Sequence, residues 1–240
     1  MTASSEASQA TSRLLAVRQR IAAACRASRR AESSVTLLAV SKLQPTQKIR
    51  ELHAAGHRAF GENYVQEALA KHAELSGDVH CHDIEWHLIG PLQSNKTRAV
   101  AETLHWVHSV DRLKIAERLS AQRPPSLPPL NVCIQVNISD EASKSGCAPL
   151  EAVPLAVAVS KLPNLRLRGL MGMPAPGLAP EATRAQFALL AALYAEASTM
   201  VPGMDTLSMG MSDDLELAIA CGSTMVRVGT ALFGLRPAVA

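Results

Sequence analysis

Aromatic residues are scarce, at 3% of 240 positions. A core with so few rings must be built from Ala, Val, Leu, Ile and Met, which suits a helix-rich α/β chain better than an all-β sandwich. Paired cysteines are also missing. Cys25, Cys81, Cys133, Cys147 and Cys221 are scattered, odd in number and without Cys-x-x-Cys spacing, so they read as free thiols of a reducing compartment. No uncharged apolar run reaches the ~18 residues of a membrane span. Met1-Thr-Ala-Ser-Ser-Glu6 lacks a basic stretch followed by an apolar one, so no secretory signal is read and a cytoplasmic location is expected. Charge of one sign does not accumulate: 24 basic against 21 acidic residues leave +3, with no long basic block. With stacking rings also rare, nothing indicates a nucleic-acid partner. The chain has no GxSxG elbow and no Walker loop, which removes the usual support for hydrolase and nucleotidase readings.

Apolar residues make up 48% of the chain, enough for a sizeable core. From about Ala7 to Arg30, Leu14, Leu15, Val17, Ile21, Ala22 and Cys25 recur at helical spacing, so a leading helix is expected after six frayed residues. A rhythm of short β-branched runs and longer amphipathic stretches follows. The strands read are Thr36–Ser41, Arg58–Phe60, Trp86–Ile89, Trp106–Ser109, Asn131–Asn137, Leu165–Met171, Thr206–Met209 and Met225–Val228. The helices read between them are Gln47–Ala55, Val65–Leu75, Lys96–Thr103, Arg112–Gln122, Leu150–Lys161, Glu181–Met200 and Leu215–Ala220. Such alternation predicts parallel βαβ units. An open doubly wound sheet would carry a Gly-rich turn after its first strand, whereas Thr36–Lys42 runs into Leu-Gln-Pro. The fold class is therefore α/β: a single (β/α)8 TIM barrel with an extra N-terminal helix, one domain over residues 1–240. Two proline-rich stretches, Arg123–Pro129 and Pro174–Pro180, read as loops.

In such barrels the C-terminal strand ends converge on one face, where sites are built. Lys42 ends the first strand, where apolar neighbours can lower an amine's pKa so that it attacks an aldehyde; the alternative is a lysine snorkelling to water. Asn63, after the second strand, offers a neutral donor and acceptor or a helix cap. Gly210 and Ser212 precede a helix, and Gly229 and Thr230 follow the last strand. Barrels often bind phosphate at these two loops, although ordinary turn and cap chemistry uses the same residues. Arg227 lies on the last strand, directed at the site or ion-paired with a barrel carboxylate. A lysine at one side and a phosphate cradle at the other is the layout of a pyridoxal phosphate site. His80-Cys-His-Asp83, with His87 beyond, has metal-like composition but sits in a polar loop; no metal is expected. Lys144, in the polar loop after the fifth strand, reads as solvated or as approaching the site mouth.

The segments Ala39-Val-Ser-Lys42, Phe60–Glu67, His87–Lys96, Val136–Ser139, Ser143–Gly146, Arg168–Met171, Leu207–Ser212 and Val226–Thr230 with Phe233-Gly234 resemble, in order, the pyridoxal phosphate homeostasis protein family. The resemblance covers about Leu37 to Gly234. It implies the fold-type III barrel, similar to the N-terminal domain of alanine racemase, with pyridoxal 5′-phosphate as cofactor. By resemblance, Lys42 is the Schiff-base lysine. Ser212, Gly229 and Thr230 form the phosphate cradle, Arg227 lies near the pyridine nitrogen, and Asn63 and Met209 lie near the ring.

The resemblance also implies a non-catalytic role in vitamin B6 homeostasis, with apo-enzymes as possible recipients of the cofactor. Chemistry points the same way. A cationic Arg227 disfavours protonation of the pyridine nitrogen and makes the ring a poor electron sink. Racemisation needs a second acid–base group, which Tyr64, Cys147 or Lys144 would have to supply. The competing readings are a genuine racemase or lyase using this cofactor, and a phosphate-binding isomerase-like barrel without a Schiff base. A barrel complete in one chain points to a monomer.

Overall fold

The computed structural model describes residues 3–139, 141 and 144–234; Ser143 and the stretch 235–237 lie outside the described residues. Eight parallel strands close in chain order into a barrel. They are β1 (Thr36–Val40), β2 (Ala59–Glu62), β3 (Glu85–Leu88), β4 (Trp106–Val110), β5 (Leu130–Val136), β6 (Leu165–Gly172), β7 (Thr206–Ser208) and β8 (Met225–Val228). The helices are α2 (Thr46–Ala54), α3 (Val65–Ser76), α4 (Thr97–Thr103), α5 (Leu113–Gln122), α6 (Pro149–Val159), α7 (Pro180–Met200) and α8 (Leu215–Ala220). These elements match the sequence reading to within two residues at either end. A further single turn, α9 (Thr230–Phe233), was not read as a helix; four residues are too few to show a period.

The leading helix α1 runs Ala3–Ala27, longer at its start and shorter at its end than the pattern suggested. It stops because Arg29 turns left-handed, with φ 54°, and the Arg30 N–H reaches back to the Cys25 carbonyl at 2.9 Å. The buried stripe is Ala10, Leu14, Val17, Ile21, Ala24 and Cys25. Leu15 was expected in that stripe but is 56% exposed, since one residue is about 100° of helix rotation. Helix α1 packs on α2, α8 and α9, outside the seam where β1 meets β8.

That seam is well paired, from Thr36↔Met225 to Ala39↔Val228. Its neighbour is thinner: β7 and β8 share the single registered pair Ser208↔Met225. There the buried Ser223 hydroxyl reinforces the ladder, 2.7 Å from the Met209 carbonyl and 3.1 Å from that of Met225. Strand alternation sorts the side chains into two layers. Outward residues join the helices in one large Leu, Ile, Val and Ala core. A separate apolar cluster of Trp106, Cys133 and Met171 comes from β4, β5 and β6. No helix among the described residues is long and apolar enough to cross a membrane.

Candidate functional site

Inward-facing positions at the C-terminal strand ends line one cavity of about 730 Å³. Val40 and Lys42 enter from β1, Asn63 from β2, Ile89 from β3, Gln135 and Asn137 from β5, and Met173 from β6. Ser212 comes from the loop after β7, while Arg227, Gly229 and Thr230 come from β8 and the start of α9. Six of the seven expected residues thus meet: Lys42, Asn63, Ser212, Arg227, Gly229 and Thr230. Met209 does not. It is fully buried in the large outer core. Alternation explains the difference, because Ser208 faces the barrel interior and its neighbour must face the helices. The turn at Gly210, with φ 96°, then swings Met211 and Ser212 back to the cavity.

Arg227 is 4% exposed. One guanidinium nitrogen donates to the Ser208 carbonyl at 2.7 Å and its Oγ at 2.8 Å; the other donates to the Gly172 carbonyl at 3.0 Å. These oxygens, rather than a barrel carboxylate, hold it. Burial pulls its pKa down to about 10, opposed by Asp214, so it stays charged at neutral pH. Ser208 continues a chain through the barrel. His108 Nδ1 lies 3.2 Å from Ser208 Oγ, His108 Nε2 lies 3.0 Å from His87 Nδ1, and His87 Nε2 lies 2.8 Å from the Glu85 carboxylate. Burial depresses the pKa of both imidazoles, so both are neutral. Trp106 stacks on His87, with ring centroids 5.1 Å apart.

Other contacts that brace the cavity were not legible in sequence. Arg20 of α1 donates to the Ser212 carbonyl at 2.9 Å and pairs with Glu216 at 2.8 Å. Lys48 caps α9 through the Phe233 carbonyl at 2.8 Å. Both join residues more than a hundred positions apart in the chain, where no local pattern exists. Lys144 does front the cavity while remaining 45% exposed, 3.9 Å from Glu141. Tyr64 is 55% exposed and is not among the described lining residues. In the histidine-rich loop, Asp83 pairs with His53 and Arg58, and no group of three metal-ligating side chains forms among the described residues.

Lys42, Lys144 and Arg227 line the cavity with the single acid Asp213 among the described residues, so the lining is predominantly cationic. Asn63 Oδ1 is buried there without a hydrogen-bond partner among the described residues, so it lacks a donor. A Cβ on Gly229 would lie 3.3 Å from the Val40 carbonyl, so glycine keeps the cradle open beside β1. An aldehyde carrying an anionic tail and a hydroxyl fits this donor set.

The family model for the alanine racemase N-terminal domain matches residues 14–237. The pyridoxal phosphate homeostasis protein of Pseudomonas aeruginosa is 60% identical over 220 residues, 92% of this chain and 93% of that protein. The chain belongs to the pyridoxal phosphate homeostasis protein family. The Escherichia coli K12 member is 54% identical over 226 residues, covering 93% of this chain and 95% of its own. PipY of Synechococcus elongatus, solved with pyridoxal phosphate bound, superposes with a TM-score of 0.80 at 40% identity, covering 94% of this chain and all of that one. The motif resemblance and the barrel are thereby both confirmed.

Proposed function

We propose that this chain binds pyridoxal 5′-phosphate in the mouth cavity, through a Schiff base on Lys42, and serves intracellular homeostasis of that cofactor without turnover. The observation that carries the proposal is the meeting of Lys42, Arg227 and the Gly229–Thr230 turn in one cavity. Relatives named for this homeostasis role, and a solved relative with the cofactor bound, support it. When bound, the cofactor supplies an aldehyde for the lysine amine and an electron-accepting ring. Gly229 and Thr230 open α9, where N–H groups without intrahelical partners suit the phosphate, and Ser212 adds a hydroxyl. Arg227 would hold the ring nitrogen and Asn63 the ring hydroxyl.

The absence of turnover is argued from the same groups. Arg227 keeps its charge despite burial, which would disfavour protonation of a ring nitrogen held there and weaken the electron sink. Burial pushes the Cys147 thiol up to about 12, far from an ionisable base at neutral pH. Tyr64 is turned to solvent. Lys144 alone of the three candidate second bases fronts the cavity, and it is the observation that keeps a racemase or lyase as the second reading. The protein acts as a monomer in the cytoplasm and passes cofactor to apo-enzymes.

A spectrum of the purified protein after incubation with pyridoxal phosphate, followed by borohydride reduction and peptide mapping, tests the binding. The expected label sits on Lys42. A colourless protein, or a label elsewhere, overturns the reading. Amino-acid turnover above the free-cofactor rate that disappears in Lys42→Ala would make the chain an enzyme.

A further inference from the structure

Glu62 is 0% exposed, on the outward face of β2 under α3, where a barrel strand ordinarily presents an aliphatic residue. Its Oε1 accepts hydrogen bonds from Ser41 Oγ at 2.6 Å and from Lys71 Nζ at 2.8 Å. The same ammonium, on α3, donates to the Ser41 carbonyl at 2.7 Å and to Glu67 Oε1 at 2.7 Å. Glu67 Oε1 also accepts the Leu43 N–H at 2.6 Å. The residues on either side of Lys42 are therefore tied to one buried ion cluster: Ser41 by its carbonyl and hydroxyl, Leu43 by its amide.

Leu43 adopts φ 59°, a left-handed conformation that a branched aliphatic residue avoids unless its surroundings impose it. Between these two clamped residues the chain turns. Ser41 faces the helices, and Lys42 faces the cavity. A buried ion cluster is a poor source of stability compared with well-packed aliphatic side chains. Its presence here calls for another task, and it grips the segment carrying Lys42 on both sides of that lysine.

We infer that Lys71, with Glu62 and Glu67, is a positioning device for Lys42: it holds Ser41 and Leu43 so that the intervening side chain is presented to the cavity. The inference rests on the proposed role of Lys42 for its significance, but not for its test. Lys71→Met removes the ammonium that joins the two clamps. The turn at Leu43 then relaxes, and the Lys42 side chain is no longer held toward the cavity.

The first measurement is competitive trace acetylation of the cofactor-free protein at neutral pH, mapped peptide by peptide. In Lys71→Met the rate at Lys42 relative to Lys144 changes several-fold, because the amine no longer sits where the two clamps hold it. Band formation with pyridoxal phosphate slows by about tenfold, the scale expected when a reacting group is misplaced. Leu190→Ala, a core truncation on α7, serves as the control for lost stability: it leaves both rates at the wild-type value. Should Lys71→Met fail to fold, Ser41→Ala, which deletes one bond of the cluster without changing charge, gives a smaller change in labelling and a smaller slowing of band formation. A folded Lys71→Met with wild-type labelling of Lys42 overturns the inference, as does an equal change in Leu190→Ala, or an unchanged Ser41→Ala where Lys71→Met is unfolded. A wild-type protein that gives no band while the labelling shift persists overturns the cofactor reading and leaves the positioning role standing.

Discussion

Two buried polar systems lie against the cavity, and they are built on opposite principles. Behind Lys42 the Glu62–Lys71–Glu67 cluster is ionic, sits between sheet and helix, and joins residues no more than 30 positions apart. Beneath Arg227 the Ser208–His108–His87 chain is neutral, fills the barrel interior, and spans 100 positions between its first two members. The local system is tied to a backbone turn. The long-range system is tied to a side chain, which it approaches through the Ser208 hydroxyl. The lesson is that one barrel mouth can be stiffened from both layers at once: the Lys42 turn from outside the sheet, the Arg227 side chain from within.

Breaking the ionic system has the largest expected effect. Lys71→Met leaves two carboxylates without their ammonium and costs about 3–5 kcal/mol in urea unfolding. Combining it with Glu62→Met returns part of that loss, since an apolar pair replaces a buried ion pair. The neutral system responds less. His108→Leu leaves the Ser208 hydroxyl and His87 Nδ1 without a mutual partner and costs about 1–3 kcal/mol, read in the same assay.

The pH profile separates the two further. His87 and His108 have pKa values depressed by burial, so the unfolded chain binds their protons first. The stability they confer is complete above the ordinary value of 6.5 and is lost as pH falls through their folded values; His57, depressed to about 4, behaves likewise. Glu62 has the opposite sign. Burial raises its pKa above 4.5, so its contribution is present below that value and lost as pH rises through the folded one. His87→Leu combined with His108→Leu is expected to flatten the fall in melting temperature as pH drops below the ordinary histidine value, whereas Glu62→Gln leaves that fall in place. The smallest effect belongs to the brace outside both systems. Arg20→Met loses a half-exposed ion pair worth at most about 1 kcal/mol, yet it releases the Ser212 carbonyl and weakens phosphate-dependent binding a few-fold, measurable by titration.

The barrel was legible because its strands are short β-branched runs set between amphipathic helices, and Met225–Val228 was bounded correctly at both ends. The mouth residues were legible because they follow those strands. Met209 was put near the ring by resemblance alone, and alternation, which resemblance does not convey, turns its side chain into the outer core. Lys71 and Glu62 were overlooked because charged residues are ordinarily solvated; the Glu67–Lys71 spacing of four on one helix was the available signal. The histidine chain shows the same blind spot, since His87 and His108 meet Ser208 only once the ring is closed.

Ring closure has a consequence for synthesis. Lys42 leaves the ribosome early, but the turn that lies beside it follows β8, the last of the described strands to be made, and β1 finds its second neighbour only then. A nascent chain halted before Gly229 carries Lys42 without the Gly229–Thr230 turn that completes the cavity beside it. The ability to retain the ligand is thus acquired in the final steps of translation, and it reports that the chain has been made through its eighth strand.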